Sequence, residues 1–67
     1  HSGGVLQHEG EECGYVLEGQ LELTVGDKTY ILDPGDSFFF HSDRPHAYHN
    51  PGKVVARVIW INTPPTF

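Results

Sequence analysis

Short runs of β-branched, aromatic and other apolar residues recur along most of this chain between polar turn residues, and no stretch of useful length has the period of a helix. Within residues 20–25, for example, Leu21, Leu23 and Val25 alternate with polar side chains. This pattern predicts a strand with one buried and one exposed face. Other runs, rich in β-branched and aromatic residues, are predicted to be strands as well. The predicted strands are 13–17, 20–25, 28–32, 37–40, 46–49 and 54–62, of which the last is the longest.

Turn signals separate these runs. Glu18-Gly19 and Gly26-Asp27 are pairs typical of tight hairpins, and turns containing proline and glycine follow at 33–36 and 50–52. Short strands at close spacing predict an all-β fold, a small antiparallel barrel that is incomplete or minimal. Its open edge needs a cover, and a second copy of the chain is the simplest one. The prolines within 63–67 predict an extended tail.

The length of 67 residues is enough for one domain. A domain of this size buries only about 60% of the surface that its unfolded chain exposes, so its core is marginal. Cys13 is the single cysteine, which excludes an intramolecular disulfide and fits a reducing compartment. A metal ion or a second subunit remains as a source of stability. We therefore expect a homodimer in the cytoplasm.

The charge of the chain limits its partners. The net charge is −5, and the four basic residues Lys28, Arg44, Lys53 and Arg57 are scattered along the sequence. Without a basic patch, the chain by itself is expected to bind nucleic acid poorly. No apolar run approaches the roughly 18 residues of a transmembrane helix, and residues 1–7 lack the features of a signal peptide. We expect no membrane partner.

Three residues have the chemistry of a metal site. His8 and Glu12 flank the segment 9–11, which we expect to be a tight turn between two paired strands. A third strand would bring His46 beside them. Two imidazoles and one carboxylate suit Fe(II), Mn(II), Ni(II) or Zn(II). Two interpretations stay open: a metal site, or a cluster of polar groups that line the barrel and hydrogen-bond one another.

The same residues resemble the first sequence motif of the cupin family, which contains two histidines, a glutamate and a closing glycine. Glu12 occupies the place of the glutamate and Gly19 that of the glycine, with the spacing intact. His8 falls on the second histidine. Leu6 stands where the first histidine would be, which removes one metal ligand from the set that the family uses.

The second cupin motif is also matched in part. Gly35, His46 and Asn50 occupy the places of its first glycine, its histidine and its asparagine. His41 stands in the place of the proline and Asp43 in that of the second glycine. The resemblance extends over nearly the whole chain and implies a jelly-roll-like antiparallel barrel.

The resemblance can be narrowed to one kind of cupin. Residues 14–52, followed by 56–67 with the terminal NTPPTF, resemble the C-terminal cupin domain of helix-turn-helix/cupin transcriptional regulators. In those proteins a DNA-binding helical domain precedes a small barrel that senses a ligand. The resemblance implies that 1–67 is a single cupin domain, a fragment without its helix-turn-helix domain. It further implies a small-molecule effector, and contact with DNA only through the domain that is absent.

We expect the effector to bind near His8, Glu12 and His46, with Tyr48 and Trp60 beside them. A metal would be held by the first three residues, and no catalytic residue is predicted. Two rival functions remain: a stand-alone metal-dependent cupin enzyme, such as a dioxygenase or isomerase, and a purely structural dimerisation module. Further residues that could line the pocket, or simply pack in the core, are Val16, Phe38 and Phe40.

Overall fold

A computed structural model of the protein describes residues 8–63, which form six strands and no helix. The prediction of an all-β fold is confirmed. No helix long and apolar enough to cross a membrane occurs in this part of the chain. Leu6 and residues 64–67 lie outside the described range. The strands are β1 (Glu11–Glu18), β2 (Leu21–Val25), β3 (Lys28–Leu32), β4 (Ser37–His41), β5 (His46–His49) and β6 (Arg57–Thr63).

The strands form two three-stranded antiparallel sheets, in the orders β4-β1-β6 and β3-β2-β5. The inner faces of the two sheets pack against each other, as in other β-sandwiches. Among residues 8–63 no strand pairing joins one sheet to the other, so the fold is the incomplete barrel that the sequence predicts. The buried hydrophobic core comprises Val16, Leu21, Leu23, Val25 and Phe40, with Leu32, Phe38, Tyr48, Val58 and Trp60 packed around it.

Gly26 makes the hairpin between β2 and β3 and also leaves space for a cation. It is the first of two loop residues between Val25 and Lys28, and its φ of +64° is the left-handed value that a type II′ turn requires. A Cβ at this position would lie 2.5 Å from an Arg44 guanidinium nitrogen. Glycine therefore lets the Arg44 side chain lie across the hairpin.

Gly14 lies in β1 opposite two aromatic residues of the neighbouring strands, Phe38 and Trp60. Their rings cross with centroids 4.7 Å apart. A Cβ on Gly14 would overlap the Phe38 ring and approach the Ile59 carbonyl oxygen to 2.5 Å. The missing side chain thus lets the aromatic pair cover the backbone of the central strand, a known use of glycine in sheets.

The predicted hairpin at Glu18-Gly19 is wrong. β1 pairs with β4 and β6, whereas β2 pairs with β3 and β5, so this connection carries the chain from one sheet to the other. The predicted last strand is also too long. Its pairing with β1 begins at Arg57, and Val54 and Val55 before it are exposed. β1, with eight residues, is consequently longer than β6, with seven.

The outer faces of the two sheets differ in polarity. That of β3-β2-β5 carries mainly polar side chains, among them Glu22, Thr24 and His49. That of β4-β1-β6 is hydrophobic around the partly buried Cys13 at its centre. We call it the apolar outer face; its exposed members are Tyr15, Leu17, Phe39, Ile59 and Ile61.

Candidate metal and ligand site

His8, Glu12 and His46 converge at one end of the space between the sheets. One possible ligand atom from each lies within 4.8 Å of the other two. Glu12 and His46 are almost fully buried, whereas about a quarter of the His8 side chain is exposed. The structure therefore brings together the three residues that the sequence suggested as metal ligands.

His8 is positioned differently from the expectation. At Glu12, both edges of β1 are occupied, by Phe40 of β4 and Asn62 of β6, so His8 does not pair with Glu12 across a hairpin. The predicted hairpin across 9–11 is therefore wrong. Instead, the His8 N–H donates to the Ser42 carbonyl (2.9 Å), and the Ser42 N–H donates to the Gly10 carbonyl (2.9 Å). These two bonds fix the bend 8–10 against the end of β4.

The tautomers of both histidines follow from their contacts with backbone carbonyls. Nδ1 of His46 lies 2.8 Å from the Arg44 carbonyl oxygen, and Nδ1 of His8 lies 3.0 Å from that of Glu9. A carbonyl oxygen only accepts, so Nδ1 carries the proton in each ring. In a neutral imidazole, Nε2 then carries the lone pair, which is the usual arrangement of a metal-binding histidine.

The Glu12 carboxylate is held on both oxygens. The Trp60 indole N–H donates to Oε1 (2.7 Å), and the Ser42 hydroxyl donates to Oε2 (2.8 Å). These two donors, from β6 and the loop after β4, hold the buried carboxylate in one orientation. Neither contact was predicted. The indole offered a signal, since a buried Trp N–H usually finds an acceptor; the sequence offered none for Ser42.

The centre of the group contains acceptor atoms without a donor. Glu12 Oε2 lies 2.9 Å from His46 Nε2 and 3.3 Å from His8 Nε2. The shorter contact lacks the direction of a hydrogen bond, so the buried His46 Nε2 has no hydrogen-bond partner among the described residues. Two lone pairs and a carboxylate oxygen repel one another unless a cation lies between them. A divalent transition metal fits this donor set, and an additional proton is the alternative.

The other candidate residues surround this group or lie away from it. Tyr48 packs on Trp60 with ring centroids 4.9 Å apart, so these two form a wall of the site. Val16 is fully buried, and Phe38 packs on Trp60. His41 and His49 are exposed on the outer faces, where their Nδ1 atoms lie 3.6 and 3.2 Å from Oε2 of Glu11 and of Glu22, respectively.

A separate cavity of about 640 Å³ lies between β3 and β4. Neither the three candidate metal ligands nor Tyr48 and Trp60 line it. Phe40 lies between the two sites, since it lines the cavity while its ring centroid is 4.8 Å from that of His46. The full lining is Leu23, Val25, Lys28, Tyr30, Leu32, Ser37, Phe38, Phe39, Phe40, His41 and Arg44.

Two antiparallel sheets that enclose a His–Glu–His group define a small jelly-roll-type β-domain with a candidate metal centre. Residues 1–62 match the family model described as the cupin domain. The chain belongs to the cupin family.

Comparison with known proteins confirms the narrower resemblance. The chain is 38% identical over 66 residues to the HTH-type transcriptional regulator PuuR of Escherichia coli (strain K12), a match that covers 98% of this chain and 36% of PuuR. Two solved structures are also similar. The crystal structure of FeII HppE has a TM-score of 0.76 and 33% identity over 88% of this chain. Hydroxypropylphosphonic acid epoxidase from S. wedmorenis in complex with fosfomycin has a TM-score of 0.75 and 32% identity over the same share. This chain spans about a third of the length of each of these proteins.

Proposed function

We propose that this chain is the small-molecule-sensing and dimer-forming cupin domain of a DNA-binding transcriptional regulator. The observation that carries this proposal is the 38% identity to PuuR over 98% of the chain. DNA would be contacted by a domain outside the 67 residues, because the net charge of −5 disfavours direct binding of a polyanion. Such a regulator acts in the cytoplasm.

The effector binds, in this proposal, at the group formed by His8, Glu12 and His46. These residues would hold a divalent transition metal through two imidazole nitrogens and one carboxylate oxygen. When bound, the metal supplies a Lewis acid to which an effector oxygen or nitrogen can coordinate. Tyr48 and Trp60 supply the aromatic wall. The support is the set of buried acceptor atoms, which a cation would stabilise.

Dimerisation would use the apolar outer face, with a second copy of the chain as its partner. Among residues 8–63 the core buries five hydrophobic side chains, whereas the apolar outer face leaves a comparable number exposed on one sheet. Contiguous exposed apolar patches on small domains mark interaction surfaces. Packing two such faces together would add the apolar burial that a 67-residue domain lacks.

The regulatory step in this proposal is a shift between dimer arrangements. Ligands at the His8–Glu12–His46 group would bind one arrangement more tightly and so reposition the attached DNA-binding domains. The size of the response is limited by the difference in ligand affinity between the two arrangements.

DNA binding by the full-length polypeptide that contains this chain tests the proposal. Anisotropy of labelled DNA from its own promoter region would be measured while divalent metals and a metabolite library are added. We expect an effector to change the affinity in the wild type and in the control Glu22→Gln, but not in Glu12→Gln. An effector response that survives deletion of residues 8–63 would refute a sensing role.

A metal-dependent enzyme is the second candidate function, because FeII HppE is 33% identical over 88% of this chain. The same three residues would then hold a catalytic metal. Turnover of a substrate by the metal-loaded protein, absent in Glu12→Gln, would favour this candidate. An effector-dependent change in DNA binding without turnover would favour the regulator.

A further inference from the structure

The cavity between β3 and β4 has two chemically different ends. The turn 33–36 joins these strands, so Leu32 and Ser37 line the end beside the turn. Lys28 and His41 lie at the opposite ends of the same strands. Arg44, in the loop after β4, joins them there, because its guanidinium lies against Gly26 of the β2–β3 hairpin.

The charges of the cavity are opposite to those of the chain as a whole. Asp and Glu number nine and Lys and Arg only four in the sequence, yet two of those four, Lys28 and Arg44, line the cavity, and none of the acidic residues does. Asp27 and Asp43 are their neighbours in the chain, but neither belongs to the lining. Folding thus collects half of the Lys and Arg side chains of an acidic protein at one end of one cavity.

The remainder of the lining is mainly apolar. Leu23 and Val25 are buried at the base, and Phe38 and Phe40, whose ring centroids are 6.1 Å apart, form one wall. A volume of about 640 Å³ is within the range of small-molecule sites. An apolar pocket with a few polar groups at one end is suited to a ligand with an apolar body and one charged head.

We propose that this cavity binds a small amphipathic carboxylate. Its head is bound by Lys28 and Arg44, and its hydrocarbon body lies against Leu23, Phe38 and Phe40. Arginine and lysine both form charge-assisted hydrogen bonds with carboxylates, and arginine can do so with two parallel bonds. The site is separate from the His8–Glu12–His46 group, and the proposal does not depend on the regulatory function.

Three eight-carbon compounds that differ only in the head group provide the test: octanoate, octylammonium and octan-1-ol. Each is titrated into the 67-residue chain by isothermal calorimetry below its aggregation concentration, and amide shifts are followed by NMR. Octanoate is expected to bind at least tenfold more tightly than octylammonium, with shifts in Tyr30 and Leu32 of β3. The double substitution Lys28→Gln and Arg44→Gln is expected to weaken the binding of octanoate at least tenfold. The control Lys53→Gln, at an exposed position outside the cavity, leaves the affinity unchanged.

Any of the following results would overturn the proposal. One is equal affinity for the anionic and cationic compounds, and another is octanoate affinity that the double substitution does not alter. The third is the absence of saturable octanoate binding, and the fourth is binding whose shifts fall on Ile59 and Ile61 of the apolar outer face instead of on β3. Octanoate binding without any metal response would leave the cavity proposal standing while the metal proposal fails, so the two can be distinguished.

Discussion

Replacing Glu12 by glutamine distinguishes a metal site from a hydrogen-bonded structural cluster. In the wild type the carboxylate accepts from Trp60 (2.7 Å) and Ser42 (2.8 Å), and its Oε2 lies 2.9 Å from His46 Nε2. A glutamine keeps one oxygen for the indole N–H, and its amide places N–H groups instead of a negatively charged oxygen beside the imidazole Nε2 atoms. The serine hydroxyl can rotate to accept the second amide proton. We therefore expect Glu12→Gln to change the free energy of unfolding of the metal-free protein by less than about 1 kcal/mol.

The effect on the metal-bound protein should be much larger. A metal at 100 times its dissociation constant stabilises the wild type by about 2.7 kcal/mol. For a domain of this size, that corresponds to a rise in Tm of roughly 10–20 °C. Loss of a first-sphere carboxylate should weaken binding by about 100-fold or more, since outer-sphere partners alone contribute about 10–100-fold. The same metal concentration would then stabilise Glu12→Gln by only about 0.4 kcal/mol.

Thermal unfolding is followed by circular dichroism, with and without added Zn²⁺ or Mn²⁺ at fixed protein concentration. It measures both the stability of the metal-free protein and the stabilisation by metal. Glu22→Gln is the matched control, because Glu22 Oε2 lies 3.2 Å from His49 Nδ1 in a partly exposed pair that should contribute less than about 1 kcal/mol. The reasoning is refuted if Glu12→Gln lowers the stability of the metal-free protein by about 3 kcal/mol or more while metal leaves the wild type unchanged. That outcome would identify a buried His–Glu ion pair.

Three other substitutions test separate parts of the structure. Gly14→Ala should lower the free energy of unfolding by about 1–3 kcal/mol because its methyl group has no space; a denaturant titration showing no loss would contradict the packing. Trp60→Phe removes one hydrogen bond to Glu12 and should weaken metal binding about 10–100-fold by calorimetry; unchanged affinity would argue against this supporting role. Ile61→Glu on the apolar outer face should convert a dimer to a monomer in analytical ultracentrifugation, whereas Val54→Glu, exposed in the loop before β6, should not. A wild type that is already monomeric would refute the proposed interface.

Local patterns in the sequence predict most of the strands but not how they pair. The alternation of Leu21, Leu23 and Val25 correctly predicts β2 and its buried face. The hairpin predicted at Gly26-Asp27 is also confirmed, since it joins β2 to β3. Glu18-Gly19 carries the same local signal, yet the chain there crosses to the other sheet. A two-residue turn signal shows where the chain bends. The choice of partner strand depends on contacts far apart in sequence, since β1 pairs with strands much later in the chain.

The same distinction applies to the candidate site. His8, Glu12 and His46 could be proposed because their residue types and spacing indicate metal ligands. The sequence gives no signal for the Ser42 contact, and for Trp60 it indicates only that a buried indole N–H needs an acceptor. Which acceptor it finds depends on side-chain orientations, since Ser42 and Trp60 are 30 and 48 residues away from Glu12. The cavity is a clearer example. Basic residues that look scattered along the sequence are placed together only by the folding of two sheets.

The cation-binding role of the His8–Glu12–His46 group is tested most directly by metal stoichiometry. Metal-free protein would be dialysed against equal concentrations of Fe(II), Mn(II), Ni(II) and Zn(II) in separate anaerobic experiments, and the retained metal measured by elemental analysis. We predict one metal ion per chain in the wild type and in the surface control His49→Ala, and less than a tenth of that in Glu12→Gln. Protein that retains none of the four metals, or a Glu12→Gln variant that retains as much as the wild type, would contradict the assignment.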